Sequence, residues 1–332
     1  MNNFSKGYAR KNNSAANGYR PRSGAAAKFR SNYHRPASGS RRIVSPDEKT
    51  FLAGTAINPA PRIILEKGST ELTARAIDII CPIGMGQRGL IVSPPGSGKT
   101  TLLKHICRSV SNAYPEIKIY CLLIDERPEE VTDFRREVTA EIRFSSIDQT
   151  YEHHIDVAET TMQDAFKDAA AGNNVMILVD SLTRLARVHN ARQRGGGRTL
   201  SGGVDSQALE VPRRIFGAAR NIQDGPSITI LATVLVETES RMDDVIFEEF
   251  KGTGNMEIVL SRDISSRRIF PAIDMAASNT RKLELLLDDT EFQQINVLRR
   301  GLADLNKVEA AQRLIELLTK YPTNKELLAK LK

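Results

Sequence analysis

Residues 91–103 read IVSPPGSGKTTLL, and that stretch decides how the rest of the chain is taken. An apolar run closes on Pro94 and Pro95. Gly96 and Gly98 flank Ser97, and Lys99, Thr100 and Thr101 then open a helical pattern. A buried strand that hands over to a helix through glycines gathers backbone N–H groups and the positive end of the helix dipole at one point. That arrangement holds a phosphate. Pro95, Gly96, Ser97, Gly98 and Thr101 would wall the loop, with Gly98 allowing close backbone approach. Lys99 would reach the β- and γ-phosphates, and the Thr100 hydroxyl would be a Mg²⁺ ligand. The generic pattern starts on a glycine where this chain has Ser93. The strand–loop–helix context offsets that departure.

Apolar runs at 88–93, 118–125, 175–180, 227–234 and 256–261, with a short one at 141–145, read as strands. Helical patterns fall between them at 99–111, 128–138, 157–171 and 181–192, and again over 291–331. Alternation of this kind predicts an α/β fold with a mostly parallel sheet flanked by helices. Two strands end in acids. Asp180 closes VMILVD and is a candidate for holding Mg²⁺. Asp125 and Glu126 close another, and Glu126 is the candidate base that orients and deprotonates an attacking water. Glu129 and Glu130 suit a helix start instead. Two stretches read as irregular loops without a core role, 192–205 (RQRGGGRTLSGGVD) and 239–254 (ESRMDDVIFEEFKGTG). Basic, glycine-rich loops on a nucleotide-dependent fold suit a grip on a polymer that moves with nucleotide state. Arg281, far along the chain, is a candidate to complete a neighbouring subunit's site.

The 332 residues carry a net charge of +7, unevenly placed. Residues 1–46 hold ten Lys and Arg and no acid, so the remainder is mildly acidic. With Phe4, Tyr8, Tyr19, Phe29 and Tyr33 scattered among the cations and no periodicity, 1–47 reads as a disordered basic tail before a body at 48–332. Such a tail suits nonspecific nucleic-acid binding, through charge and base stacking. The three cysteines form no CxxC pair and read as small buried hydrophobes. No apolar run is long enough to span a bilayer, and the N-terminus has no apolar signal segment, so a cytoplasmic protein without membrane contact is expected.

With these segments in place, the body closely resembles the ATPase part of bacterial transcription termination factor Rho. The resemblance runs from about Gly68 to Lys282 and rests on GSTELTARAIDIICPIGMGQRGLIVSPPGSGKT, LLIDERPEEVTD, ILVDSLTRLAR, SGGVD, FGAARN, MDDVIFEEFKGTGNMEIVLSR, RRIFPAID and TRKLELL. It implies a RecA-like, hexameric, RNA-dependent ATPase that translocates single-stranded RNA with ATP and Mg²⁺, in termination and with RNA polymerase as a candidate partner. By the same resemblance Lys99, Thr100, Asp180 and Glu126 keep the roles given above, and Arg184 is a charge sensor beside the site. Phe270 stacks on adenine, and Arg268 and Arg281 act across the subunit interface. Arg198 with Ser201, Gly202, Gly203 and Val204 forms one RNA-binding pore loop. Lys251, Gly252, Thr253 and Gly254 form the second. Arg198 stands where the family generally has lysine, which keeps the charge. About 50 irregular residues precede the body, too few for the family's N-terminal RNA-binding barrel, so that primary RNA site is expected to be absent. The alternative reading is a truncated, Rho-like nucleic-acid-binding regulator without productive translocation.

Overall fold

The Ser45 hydroxyl accepts from the Glu48 N–H and caps α1 (Pro46–Ala53). The structure, a computed structural model, describes residues 44–192 and 201–331. Two short strands, β1 (Ala56–Ile57) and β2 (Arg62–Ile63), lead to α2 (Leu72–Ile80) and β3 (Ile83–Gly84). The alternation then begins. It runs β4 (Arg88–Ser93), α3 (Lys99–Ala113), β5 (Lys118–Glu126), α4 (Pro128–Glu137), β6 (Glu141–Ser146), α5 (Tyr151–Ala170), β7 (Val175–Asp180) and α6 (Leu182–Arg192). Beyond residue 200 come α7 (Glu210–Gly217), β8 (Arg220–Ile222), β9 (Ser227–Leu235), α8 (Arg241–Lys251), β10 (Met256–Val259), α9 (Arg262–Ser266) and β11 (Asn279–Thr280). Three helices close the body: α10 (Asp289–Ala303), α11 (Lys307–Lys320) and α12 (Asn324–Leu328).

The main sheet has the order β11-β10-β4-β9-β7-β5-β6. From β10 to β6 every pairing is parallel. β11 is antiparallel at one edge, and β8 joins β9 antiparallel and carries β1. Parallel strands covered on both faces need apolar residues at every position. All six residues of β7 are buried, and eight of nine in β9. Side chains then alternate between two cores. Ile91, Cys121, Leu123 and Leu178 pack with Leu103 and Ile106 of α3 on one face, and Leu90, Leu122, Ile124 and Ile177 with Phe166, Leu185 and Phe216 on the other. The C-terminal helices are tied to α2 by buried Arg75, which donates to the Asn324 side chain (3.2 Å) and the Leu318 carbonyl (2.6 Å). Cys81, Cys107 and Cys121 are buried and unbridged, as their apolar neighbours predict. Among the described residues no helix is long and apolar enough to cross a membrane.

Three element readings need correction. α5 begins at Tyr151, six residues before the expected 157, because the Thr150 hydroxyl caps it by accepting from the His153 N–H. The expected 291–331 helical stretch is divided among three helices. Asn306 and Thr323 supply the side-chain caps that start α11 and α12. The largest change is at 239–254, read as a loop. Residues Arg241–Lys251 form α8, with Ile246 and Phe250 fully buried on its inner face. The Phe250 ring meets Phe216 edge-on at 5.9 Å. Asp243, 0% exposed, accepts from Arg187 Nε (2.8 Å) and from the Thr238 hydroxyl (2.6 Å). Apolar residues four apart mark this inner face, and the acids between them disguised it.

A packed α8 has a measurable consequence. Phe250→Ala is expected to cost about 3–5 kcal/mol of unfolding free energy. Lys251→Ala, one residue on but exposed, should stay within about 0.5 kcal/mol of the parent. Urea midpoints read both, and equal midpoints would return this segment to a loose loop.

Candidate active site

The phosphate loop is built by its own hydroxyls and glycines. β4 ends at Ser93, whose Oγ lies 2.8 Å from Ser97 Oγ, and Ser97 Oγ donates to the Pro94 carbonyl at 2.7 Å. Serine at 93 therefore laces the loop shut where the generic pattern has glycine. Gly96 (φ +78°) and Gly98 (φ +95°) both take left-handed backbone, which a side chain disfavours. The Gly98 carbonyl then accepts from Leu102 N–H at 3.0 Å as α3 starts.

Lys99 stands at the centre. Its Nζ donates to Glu126 Oε1 at 2.8 Å and to both Asp180 carboxylate oxygens at 2.8 Å, with Thr100 Oγ1 at 3.3 Å. Parallel strands make this meeting possible, since β4, β7 and β5 all end on the same side of the sheet. Asp180 is 0% exposed, and Thr233 on β9 donates to its Oδ1 at 2.8 Å. Glu126 is aimed by a bulge. The β5–β6 register shifts between Ile124 and Glu126, and the intervening Asp125 has φ +58°. Arg184 on α6 completes the cluster. Its guanidinium reaches Asp125 Oδ2 (3.1 Å) and the Asp125 carbonyl, and its Nε lies 3.4 Å from Glu126 Oε1.

Electrostatics follow from that crowding. Burial, and then the nearby Asp180 charge, push Glu126 up to about 7, against the pull of Lys99 and Arg184. Burial alone would lower Lys99, but Asp180 and Glu126 together hold it above its usual value. Thr100 Oγ1 and Asp180 Oδ2 lie 3.3 Å apart. Such hard oxygen donors suit Mg²⁺, which takes one or two protein ligands and completes its shell with phosphate and water. Among the described residues no cluster of three or more acids, histidines or cysteines offers a metal cage.

The other expected residues divide between the two ends of β4. Phe270 belongs to the phosphate end: its ring edge lies 3.8 Å from where a Gly98 Cβ would stand, and the ring is 48% exposed. Arg268, two residues earlier, is exposed with φ +62°. Arg281 belongs to the opposite end. Its backbone N–H donates to the Asn255 carbonyl at 2.9 Å, and its neighbour Thr280 pairs with Met256, which pairs with Gly89. Lys251, Gly252, Thr253 and Gly254 sit there too, with Arg88 Nε donating to the Thr253 carbonyl at 2.5 Å. Lys251 and Gly252 are exposed, whereas Gly254 is buried.

The Ser201–Gly203 turn rests on the start of α8: a Cβ on Gly202 would meet the Arg241 carbonyl at 2.7 Å. Val204, expected with that turn, is 0% exposed and its side chain belongs to the core, so that side chain is corrected from polymer contact to packing. Arg198 and the basic tail lie outside the described residues. Thr233 and the Asp125 bulge were absent from the sequence reading. A lone threonine in a buried strand carried the only signal for the first.

Residues 73–280 match the nucleotide-binding domain of the ATP synthase alpha/beta family. The chain is 48% identical over 285 residues to transcription termination factor Rho of Rhodopirellula baltica, covering 85% of this chain and 55% of that protein. It is 49% identical over 286 residues to the Rho of Haemophilus influenzae, covering 85% and 68%. With the Rho of Streptosporangium roseum it shares 46% over 310 residues, covering 92% and 80%. The chain thus spans from about half to four fifths of these relatives' lengths. Among solved structures, an ATPase from the type III secretion system of pathogenic bacteria superposes with a TM-score of 0.68 at 23% identity, over 83% of this chain and 88% of that one. That likeness is one of fold.

The Glu126 shift sets a pH dependence. Its carboxyl rises from 4.5 to about 7 on folding, so the folded protein holds a proton there that the unfolded chain has released. Stability from this group is present at low pH and is lost as pH climbs through that window. Glu126→Gln cannot titrate. Without nucleotide, the melting temperature of the variant minus that of the parent should therefore grow across the window and then level off. A difference that stays flat would make Glu126 an ordinary solvated carboxylate.

Proposed function

The chain belongs to the transcription termination factor Rho family, and from that premise we propose that it is an ATP-hydrolysing ring motor that draws single-stranded RNA through its centre. The observation that carries this reading is the Lys99 ammonium bridging Glu126 and Asp180 at 2.8 Å. An ammonium held chiefly by carboxylates is poised to exchange them for phosphate. Entry of a triphosphate over Gly96–Thr100 draws Lys99 toward the β- and γ-oxygens and frees Glu126. A carboxyl near pH 7 is matched to accept a proton from water at physiological pH, and its proximity to Arg184 keeps it oriented. Thr100 and Asp180 would hold Mg²⁺, which supplies charge neutralisation on the transferred phosphoryl group. Phe270, exposed beside Gly98, offers a face for adenine.

A cation on the far side of the γ-phosphate would complete the site. Arg281 sits at the Arg88 end of β4, roughly 16 Å from the loop at 3.3 Å per residue, so it serves a neighbour's nucleotide rather than its own. Arg268, exposed, joins it at that interface. RNA is gripped by Lys251 and Gly252, by the Ser201–Gly203 turn and by Arg198. Termination of transcription is the cellular setting that the relatives' names suggest, and we infer RNA polymerase as the target.

Steady-state ATP turnover with and without poly(C), with solution mass recorded alongside, tests the reading. RNA should raise the rate, and the active species should be a multimer. Turnover indifferent to RNA would leave a nucleotide-binding regulator instead. Lys99→Ala should abolish turnover in a folded protein. Glu126→Gln should keep ATP binding while hydrolysis drops by roughly 10²–10⁴-fold. Loss of ATP binding in that variant would make Glu126 structural.

The trans assignment has its own check. Arg281→Ala should bind ATP and assemble yet lose about 10³–10⁵-fold in rate. Mixing it with Glu126→Gln chains pairs an intact base from one with an intact arginine from the other, so turnover should partly return. A monomeric sample that hydrolyses at the full rate, and loses that rate on Arg281→Ala, would defeat the assignment.

A further inference from the structure

Thr233 puts a hydroxyl where a parallel strand calls for an apolar side chain. It lies on β9, between β4 and β7 in the sheet, and is 0% exposed. Ala232 and Val234 on either side pack into the core that holds Phe166 and Leu185. By alternation Thr233 therefore shares the other face with Leu231, the face that Leu103 and Ile106 of α3 cover. Valine has the same outline and would fill that place with nothing to satisfy. A hydroxyl buried so deeply is costly unless it is bonded. Thr233 Oγ1 lies 2.8 Å from Asp180 Oδ1 and 3.4 Å from the Val179 carbonyl. A hydroxyl has one hydrogen to give, so the shorter contact, to Oδ1, receives it.

That bond makes the two oxygens of Asp180 unlike. Lys99 Nζ donates to both at 2.8 Å. Besides the ammonium, Oδ1 meets Thr233 inside the sheet, whereas Oδ2 lies 3.3 Å from Thr100 Oγ1 on the phosphate-loop side. When a triphosphate draws Lys99 away, Oδ1 keeps its donor. Oδ2 is then the oxygen left beside Thr100, the other candidate cation ligand. A carboxylate anchored at one oxygen by a buried donor cannot turn without breaking that bond.

We propose that Thr233 is a positioning residue for the divalent cation: it pins Asp180 through Oδ1 and so reserves Oδ2, with Thr100, for Mg²⁺. The inference rests on the nucleotide-site half of the proposed function and is indifferent to RNA. Thr233 acts only through Asp180. Groups that orient a metal-ligating carboxylate are typically worth about 10–100-fold in metal affinity.

The test uses the full chain as wild type, Thr233→Val, Thr233→Ser and Thr229→Val. Valine at 233 keeps the shape and loses the donor, and serine keeps the donor and loses a methyl group. Thr229, 1% exposed and nearer the start of β9, accepts from the Gly86 N–H at 2.8 Å, so its valine variant controls for the loss of a buried hydroxyl. Mn²⁺ is titrated into the ADP-bound protein, and free Mn²⁺ is read by electron paramagnetic resonance. Its Kd should rise about 10–100-fold in Thr233→Val and stay within about three-fold of wild type in the other two variants. ADP affinity in EDTA should hold throughout, because the loop N–H groups and Lys99 bind phosphate without the cation. Turnover gives a second readout. Thr233→Val should need correspondingly more Mg²⁺ for its half-maximal rate and regain most of the wild-type kcat once Mg²⁺ saturates.

Unchanged Mn²⁺ affinity in Thr233→Val overturns the inference. An equal loss in Thr233→Ser would do the same by assigning the effect to packing, as would an equal loss in Thr229→Val. Should Thr233→Val fail to fold, Thr233→Cys, close in shape and a weak donor, takes its place with the same direction expected. Wild type that binds Mn²⁺ no better with ADP than without it defeats the nucleotide-site reading itself. Normal wild-type binding with an indifferent Thr233→Val defeats this inference alone.

Discussion

A lysine ammonium wedged between two buried carboxylates is the constraint on which the rest of this structure turns. Lys99 is 17% exposed at its side chain, Glu126 4% and Asp180 1%, so none of the three can rely on water. An isolated charge at that depth would be prohibitively costly. The cluster survives because one cation meets two anions, with Thr233 donating to Asp180 Oδ1 and the Arg184 guanidinium 3.4 Å from Glu126 Oε1. Burial, and then the nearby Asp180 charge, push Glu126 up against the pull of Lys99 and Arg184. Phosphate loops elsewhere are drawn to anions by the same backbone amides and lysine. Here the carboxylates occupy the lysine in the meantime, and a triphosphate competes with them.

The sheet exists, from this standpoint, to bring four strand ends within hydrogen-bond reach. β4 delivers the loop, β7 the aspartate, β5 the glutamate and β9 the threonine that holds the aspartate. Ligands of open parallel sheets gather at the carboxyl ends of the strands for this reason. The apolar runs and the acids at their ends were legible because buried parallel strands tolerate no polar interruption. Lys99, Thr100, Glu126 and Asp180 could therefore be named from sequence and do come together. Arg184 was reached only through the family resemblance. Thr233 could not be named, since a threonine in SITILATVL looks like any β-branched filler. The Asp125 bulge was hidden as well, because a register shift depends on the neighbouring strand and has no local signature.

Helix α8 shows the opposite failure. Met242, Ile246 and Phe250 follow helical spacing, yet Asp243, Asp244, Glu248 and Glu249 give the segment the look of a solvated loop. Asp243 is in fact buried and ion-paired with Arg187, one turn beyond Arg184 on α6. A charged residue inside is invisible to a reading by hydropathy, because its burial is made possible by a partner 56 positions away. Val204 was assigned to the pore loop through the family resemblance, whereas its side chain is 0% exposed and packs in the core.

Separation of phosphate end and arginine end along β4 also limits how copies of the chain can meet. The loop lies past Ser93, and Arg281 lies by the Arg88 end of the same sheet. An interface joining one chain's loop to another's arginine uses two different surfaces, so it is head-to-tail. A two-fold dimer would instead set like against like, loop facing loop, and would leave each nucleotide without its cation. Head-to-tail contacts generate closed rings where the rotation allows and open helices where it does not. Where the rotation closes, every copy carries its Lys251–Gly254 loop to the equivalent place around the axis.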